Sequence, residues 1–177
     1  MIRRHKPNII GEVGAGHSTF FAMEASKKNW KGQMICRDSF LNRWVRAGSI
    51  IIKDKVENLG TDIFRMLKEN DILFIDSRHT TKEAICHWEK ILPILGKGVI
   101  IYRYDFTYLY DIYYGDQNVY WEPDVLLEYY RNNEALVEII GSNSYMRFQS
   151  PQLINSLIKW YRWNQGWIPG SLWTRRK

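Results

Sequence analysis

The residues whose types and spacing suit chemistry fall in two short stretches. The first is Glu12-Val13-Gly14-Ala15-Gly16-His17-Ser18-Thr19, entered from the apolar run Asn8 to Gly11 and continued by Phe20 to Ala25. It reads as a buried strand, a glycine turn and a helix. Glycine accepts positive φ and lets a ligand approach the backbone without meeting a Cβ. Ser18 or Thr19 is expected to cap the helix, whose first N–H groups and positive dipole end face whatever lies above the turn. The second stretch, Asp71-Ile72-Leu73-Phe74-Ile75-Asp76-Ser77-Arg78-His79, is an apolar core bracketed by aspartates and followed by a histidine. Imidazole titrates near neutrality, so His79 is a candidate general base.

A glycine turn of this kind suits two cofactors, and also a plain connection with no ligand. A dinucleotide site asks for G-x-G-x-x-G, the third glycine allowing close helix packing. Thr19 stands at that third position. The acidic Glu12, two residues before Gly14, gives Glu-x-Gly-x-Gly instead, which resembles the first motif of the class I S-adenosylmethionine-dependent methyltransferases.

The elements that must position these residues follow from the rest of the chain. Its 177 residues suffice for one domain with a core of its own. The first strand begins almost at once after the basic Met1 to Pro7, leaving no room for a helix or lid before it. Gln33 to Cys36 and Ser49 to Lys53 read as strands two and three, with a helix expected over 40–47. Thr61 to Glu69 has Ile63, Phe64 and Leu67 on one helical face, Asp71 to Asp76 is the fourth strand, and Thr80 to Leu95 is an amphipathic helix. That helix turns Ala84, Ile85, Trp88, Ile91 and Leu92 inward and breaks near Pro93. Val99 to Tyr102, Leu136 to Ile140 and Ser171 to Thr174 supply the remaining strands, with short helices over 125–131 and 154–161. Strands alternating with helices at this pitch predict a mostly parallel sheet covered on both faces. Ligands then bind beyond the carboxyl ends of the strands. The tyrosine-rich segment from Tyr104 to Trp121 breaks the rhythm and reads as a loop or lid over those ends.

Composition narrows the function classes. Hydrophobic residues make up 45% of the chain, which excludes a disordered polypeptide. No apolar run reaches the roughly 20 residues of a membrane span, so a soluble cytoplasmic protein is expected, with Cys36 and Cys86 as reduced core thiols. The net charge of +6 comes from scattered basic residues, dense only at Arg3-Arg4-His5-Lys6 and Arg175-Arg176-Lys177, so nucleic acid is an unlikely partner.

Together the motifs resemble one branch of the class I methyltransferases, the methyltransferase domain 24 type. Four segments carry the likeness in order: Glu12 to Thr19, Asp71 to His79, Ile91 to Val99, and Gly170 to Trp173. The resemblance implies a Rossmann-like fold with a mostly parallel seven-stranded sheet and an antiparallel last strand. It implies S-adenosylmethionine as cofactor, lying over Glu12, Gly14, Ala15, Gly16 and Ser18. Asp38 would accept the ribose hydroxyls, standing after Cys36-Arg37 where the branch has Ile-Glu-Pro. Asn58 would meet the adenine amine or serve only as a turn residue. Asp76 and Ser77 would flank the methyl and the acceptor, although Asp76 can equally cap a helix. His79 and Asp105 would be the catalytic positions.

Where the branch has His-x-His-Asp, this chain has Tyr102-Arg103-Tyr104-Asp105. Tyrosine, with an unperturbed pKa of about 10, cannot replace imidazole in proton transfer at neutral pH. Asp76, His79 and Asp105 include oxygen and imidazole groups that suit a divalent ion, but no metal is assigned. The leading expectation is O-methylation of a small molecule or sugar hydroxyl, possible within a homo-oligomer. The alternatives are a methyltransferase-fold binding or scaffold protein without activity, and an RNA methyltransferase.

Overall fold

The computed structural model describes residues 1–29, 31–37, 49–52, 61–76, 81–104, 128–153 and 170–177. The segments expected as helices over 40–47 and 154–161, and the lid beyond Tyr104, lie outside these residues.

A single helical turn, α1 (Ile2–His5), precedes β1 (Ile9–Val13), where no helix was expected. It forms because Ile2 is buried and Asn29 Nδ2 donates to its carbonyl at 2.9 Å, tying the turn to the end of α2 (His17–Lys27). Lys6, at φ 49°, ends it. Strands β2 (Gln33–Arg37) and β3 (Ser49–Ile52) follow. Only one turn of the helix expected over 61–69 forms, α3 (Asp62–Arg65). The Asp71 carboxylate takes the Lys68 N–H at 2.8 Å and Asn70 adopts φ 68°, so the chain turns into β4 (Ile72–Ile75).

The expected long helix is three consecutive pieces: α4 (Thr81–Cys86), a π turn (His87–Ile91) and a 3-10 turn around Pro93 (Leu92–Ile94). Ala84, Trp88, Ile91 and Leu92 are buried as expected, but Ile85 is 40% exposed. Ile85 lies one residue, hence about 100° of helical rotation, beyond the Ala84 face. The wider π turn brings His87 inward in its stead. β5 (Ile100–Tyr104), a helical stretch over 128–132, β6 (Val137–Ser142), α5 (Asn143–Gln149) and β7 (Ser171–Arg176) complete the described elements.

The seven strands form one sheet in the order β3-β2-β1-β4-β5-β7-β6. The pairs from β3 to β5 are parallel, and β7 runs antiparallel to both β5 and β6. The sheet is covered on both faces, as an apolar parallel sheet requires. One core gathers Leu73, Ile75, Ile101 and Leu172 against Ala84, Trp88 and Ile91, and the other gathers Ile10, Ile72, Phe74 and Ile100 against Ile2 and Ala22. Alternate residues of β4 and β5 therefore serve opposite layers.

Candidate functional site

The strand order reverses between β1 and β4, and open parallel sheets present a crevice at such a switch point. The glycine turn leaves β1 there. Asp76 leaves β4 beside it, its N–H donating to the Val13 carbonyl at 2.9 Å.

The turn is held from below by Glu12, which is 2% exposed. Ser18 Oγ donates to its Oε1 at 2.8 Å, Thr19 Oγ1 donates to its Oε2, and Cys36 Sγ stands 3.3 Å from Oε2. Cys36 reaches it because Glu12 and Cys36 are register partners in β1 and β2. Burial pushes the Glu12 carboxyl up from 4.5 to about 7, against the pull of its hydrogen bonds and with a smaller push from Asp76.

The helix begins at His17 with Gly16, not Ser18 or Thr19, as its N-cap residue; both hydroxyls donate to Glu12, and Thr19 closes a capping box from the third helical position. Thr19 Oγ1 also accepts the Gly16 N–H at 3.0 Å. Ser18 and Thr19 of the first turn thus point down into the carboxylate, while His17 and Phe20 face solvent.

The two turn glycines differ. Gly14 has φ 86°, a region that disfavours any side chain. Gly16 has φ −165°, extended backbone open to any residue, and a Cβ there would meet no atom within 4 Å. Among the described residues no contact requires Gly16 to be glycine. The space beside it is open, and helix α2 begins there, its positive dipole end directed at that space.

On the neighbouring strand the expected catalytic segment is partly core. The Tyr102 ring packs on Phe74 at 4.7 Å and Trp173 at 4.5 Å between centroids. Arg103, read from the sequence as a residue after the strand, lies within β5 and is 2% exposed. Its Nε donates to the Tyr130 hydroxyl at 3.1 Å, and its Nη1 lies 3.3 Å from Nδ1 of His87. A guanidinium has donors only, so His87 presents a lone pair at Nδ1. Sequence reasoning missed His87 and Tyr130 because the π turn and a contact |i−j| = 27 apart leave no periodic signal. The structure thus brings Glu12, Gly14, Ala15, Gly16, Ser18 and Asp76 together at the switch point, and adds Cys36. Asp38, Asn58, Ser77, His79 and Asp105 lie outside the described residues, although β2 ends at Arg37, β4 is followed by Asp76, and β5 ends at Tyr104.

A seven-stranded sheet of this order, with an antiparallel β7 inserted between β5 and β6, is the Rossmann-like fold of class I methyltransferases. Solved structures share it. A candidate rRNA-methylase from Clostridium thermocellum superposes with a TM-score of 0.55 at 16% identity over 96% of this chain and 86% of its own. A candidate O-methyltransferase from Klebsiella pneumoniae gives 0.58 at 11% identity over 99% and 76%. MycE methyltransferase of the mycinamycin biosynthetic pathway, in complex with Mg, SAH and mycinamycin VI, gives 0.57 at 15% identity over 99% of this chain. This chain spans 47% of the MycE chain. At these identities the likeness is one of fold. No protein-family model and no curated protein matches the chain. Among the described residues no helix is long and apolar enough to cross a membrane.

Proposed function

We propose that the chain is an S-adenosylmethionine-dependent methyltransferase, of the methyltransferase domain 24 kind, that acts on a hydroxyl oxygen of a small molecule or sugar. The observation that carries this reading is the open space over Gly16, at the switch point of a class I methyltransferase sheet. The solved neighbour MycE was crystallised with SAH, the demethylated form of that cofactor, which supports the same choice.

Gly14, Ala15 and Gly16 would lie against the cofactor, with Glu12 and Ser18 fixing the turn from beneath. Asp38, next after β2, would accept the ribose hydroxyls, since two vicinal hydroxyls match a carboxylate's paired acceptors. Asn58 would face the adenine. Bound S-adenosylmethionine supplies an electrophilic methyl group on a sulfonium. Asp76 and Ser77 would orient the acceptor, His79 would take the proton of its hydroxyl, and Asp105 would hold the imidazole or the acceptor in place. Positioning supplies much of the rate in such a site.

The decisive experiment is calorimetric titration with S-adenosylmethionine and its demethylated product. Micromolar binding supports the reading, and no heat at millimolar cofactor removes it. With binding in hand, His79→Gln should lower kcat by about 10²- to 10⁴-fold and leave cofactor affinity unchanged. An unaltered kcat would take the base role from His79. The packing of Tyr102 into an aromatic cluster favours a second reading, a binding protein on this fold without transfer. It predicts cofactor binding with no turnover.

A further inference from the structure

The basic clusters at the two ends of the chain are far apart in sequence and meet in the fold. Burial lowers the His5 pKa; a hydrogen bond that its imidazole donates to the Asn70 side chain opposes this, while the charges of Arg175 and Arg4 lower it further. Both basic segments therefore act on one place, the edge of the sheet where the parallel strands begin.

That edge is laced together by hydrogen bonds. Arg3 Nη1 donates to the Lys28 carbonyl at 2.6 Å, and Lys31 Nζ to Asn8 Oδ1 at 3.2 Å. Asn70 N–H reaches the Gly98 carbonyl at 3.1 Å, and Gly98 N–H reaches that of Arg176 at 2.8 Å. Cations then succeed one another strand by strand. Lys31 precedes β2, Arg4 and Lys6 precede β1, Lys68 precedes β4, Lys97 precedes β5, and Lys177 follows β7, all of them exposed. Neighbouring strands lie about 4.8 Å apart, so from β2 to β7 the row runs about 20 Å.

Carboxylates at this edge do little to cancel it. Asp71 is buried and engaged by backbone N–H groups, and Glu138 pairs with Arg175 at 3.6 Å. Glu69 and Glu134 are the exposed carboxylates beside the row among the described residues.

We propose that this edge is a docking surface for the phosphate backbone of a single-stranded RNA, at the pole of the molecule opposite the glycine turn. A row of cations one strand deep matches a linear polyanion, whereas a bilayer engages a broad disc of charge. The contact is with phosphates, so it is indifferent to sequence and sensitive to salt. It departs from the sequence expectation that scattered charges make nucleic acid an unlikely partner, because scatter along the chain becomes a row in the sheet. The inference does not rest on methyl transfer, and its test contains no cofactor.

Fluorescence anisotropy with a labelled oligouridine of about 20 nucleotides, between about 50 and 200 mM salt, reads it directly. The wild-type protein should bind with a steep logarithmic salt slope. Combining Lys31→Gln, Lys68→Gln and Lys97→Gln should reduce that slope by about 2, at about 0.7 per lost phosphate contact, with the thermal midpoint retained. Should the combined variant melt early, Lys97→Gln alone should reduce the slope by about 0.7. Absence of binding at the lowest salt, or a wild-type slope in the variants, overturns the proposal. So does co-sedimentation with phosphatidylserine vesicles by a protein that leaves the RNA unbound.

Discussion

Two carboxylates are almost fully buried at opposite ends of the same sheet, Glu12 at 2% and Asp71 at 1% exposure. They are held by different kinds of donor. Asp71 accepts the backbone N–H groups of Asn8, Ile9 and Lys68 at 2.8–2.9 Å, joining the starts of β1 and β4. Glu12 accepts from the side chains of Ser18 and Thr19 and meets the Cys36 thiol, at the end of β1. Backbone donors have no alternative partner once buried, so Asp71 is a fixed staple. Hydroxyls can rotate away or swap donor for acceptor, so the Glu12 cluster can adjust to what lies above it. The pole that fixes the fold and the pole that offers a site are thus distinguished by who donates.

Breaking the staple should have the largest effect on stability. Asp71→Ala strands N–H groups at two strand starts and should cost about 3 kcal/mol in denaturant unfolding, with Asp71→Asn losing less because one acceptor remains. A loss no greater than that of Glu12→Gln would erase the contrast between the poles.

The Glu12 pole should reveal itself through pH. The unfolded carboxyl releases its proton near 4.5 and the folded one near about 7. Its contribution is therefore fully present below pH 4.5 and is lost as pH rises through about 7, because the native state holds the proton longer. Glu12→Gln should flatten that fall, a difference of about 3 kcal/mol across the window, read from unfolding curves at stepped pH. Parallel wild-type and variant curves would show that the Glu12 carboxyl titrates alike in the folded and unfolded chain.

Gly14→Ala, forced to φ 86°, should cost about 1 kcal/mol in thermal or denaturant melts. Gly16→Val should cost about 0.5 kcal/mol, the loss of a favourable helix cap, since its backbone is extended and its Cβ meets no neighbour among the described residues. Equal destabilisation by the two substitutions would show that both glycines serve the fold.

Much of this was legible along the chain because it is local. The apolar runs point to β1, β4 and β5, the glycines to the turn, and their alternation with helices to a layered parallel sheet, whereas the antiparallel final strand was implied by the family resemblance. What escaped was decided across space. Ile2 becomes helical only because Asn29 reaches its carbonyl. Thr61 to Glu69 shortens to one turn because Asp71 captures the Lys68 N–H. Cys36 joins the site through strand register, and His87 meets Arg103 through a π turn that a 3.6-residue period does not anticipate. Asp38, Asn58, Ser77, His79 and Asp105 lie outside the described residues, and the roles proposed for them rest on the family resemblance.

The most direct test of the account compares wild type with Gly16→Val in calorimetric titration with S-adenosylmethionine, each checked for its thermal midpoint. The account predicts micromolar binding by the wild type, and loss of binding in a variant that stays folded and melts within a few degrees of it. Wild-type affinity in Gly16→Val, or no binding by the wild type at millimolar cofactor, would contradict it.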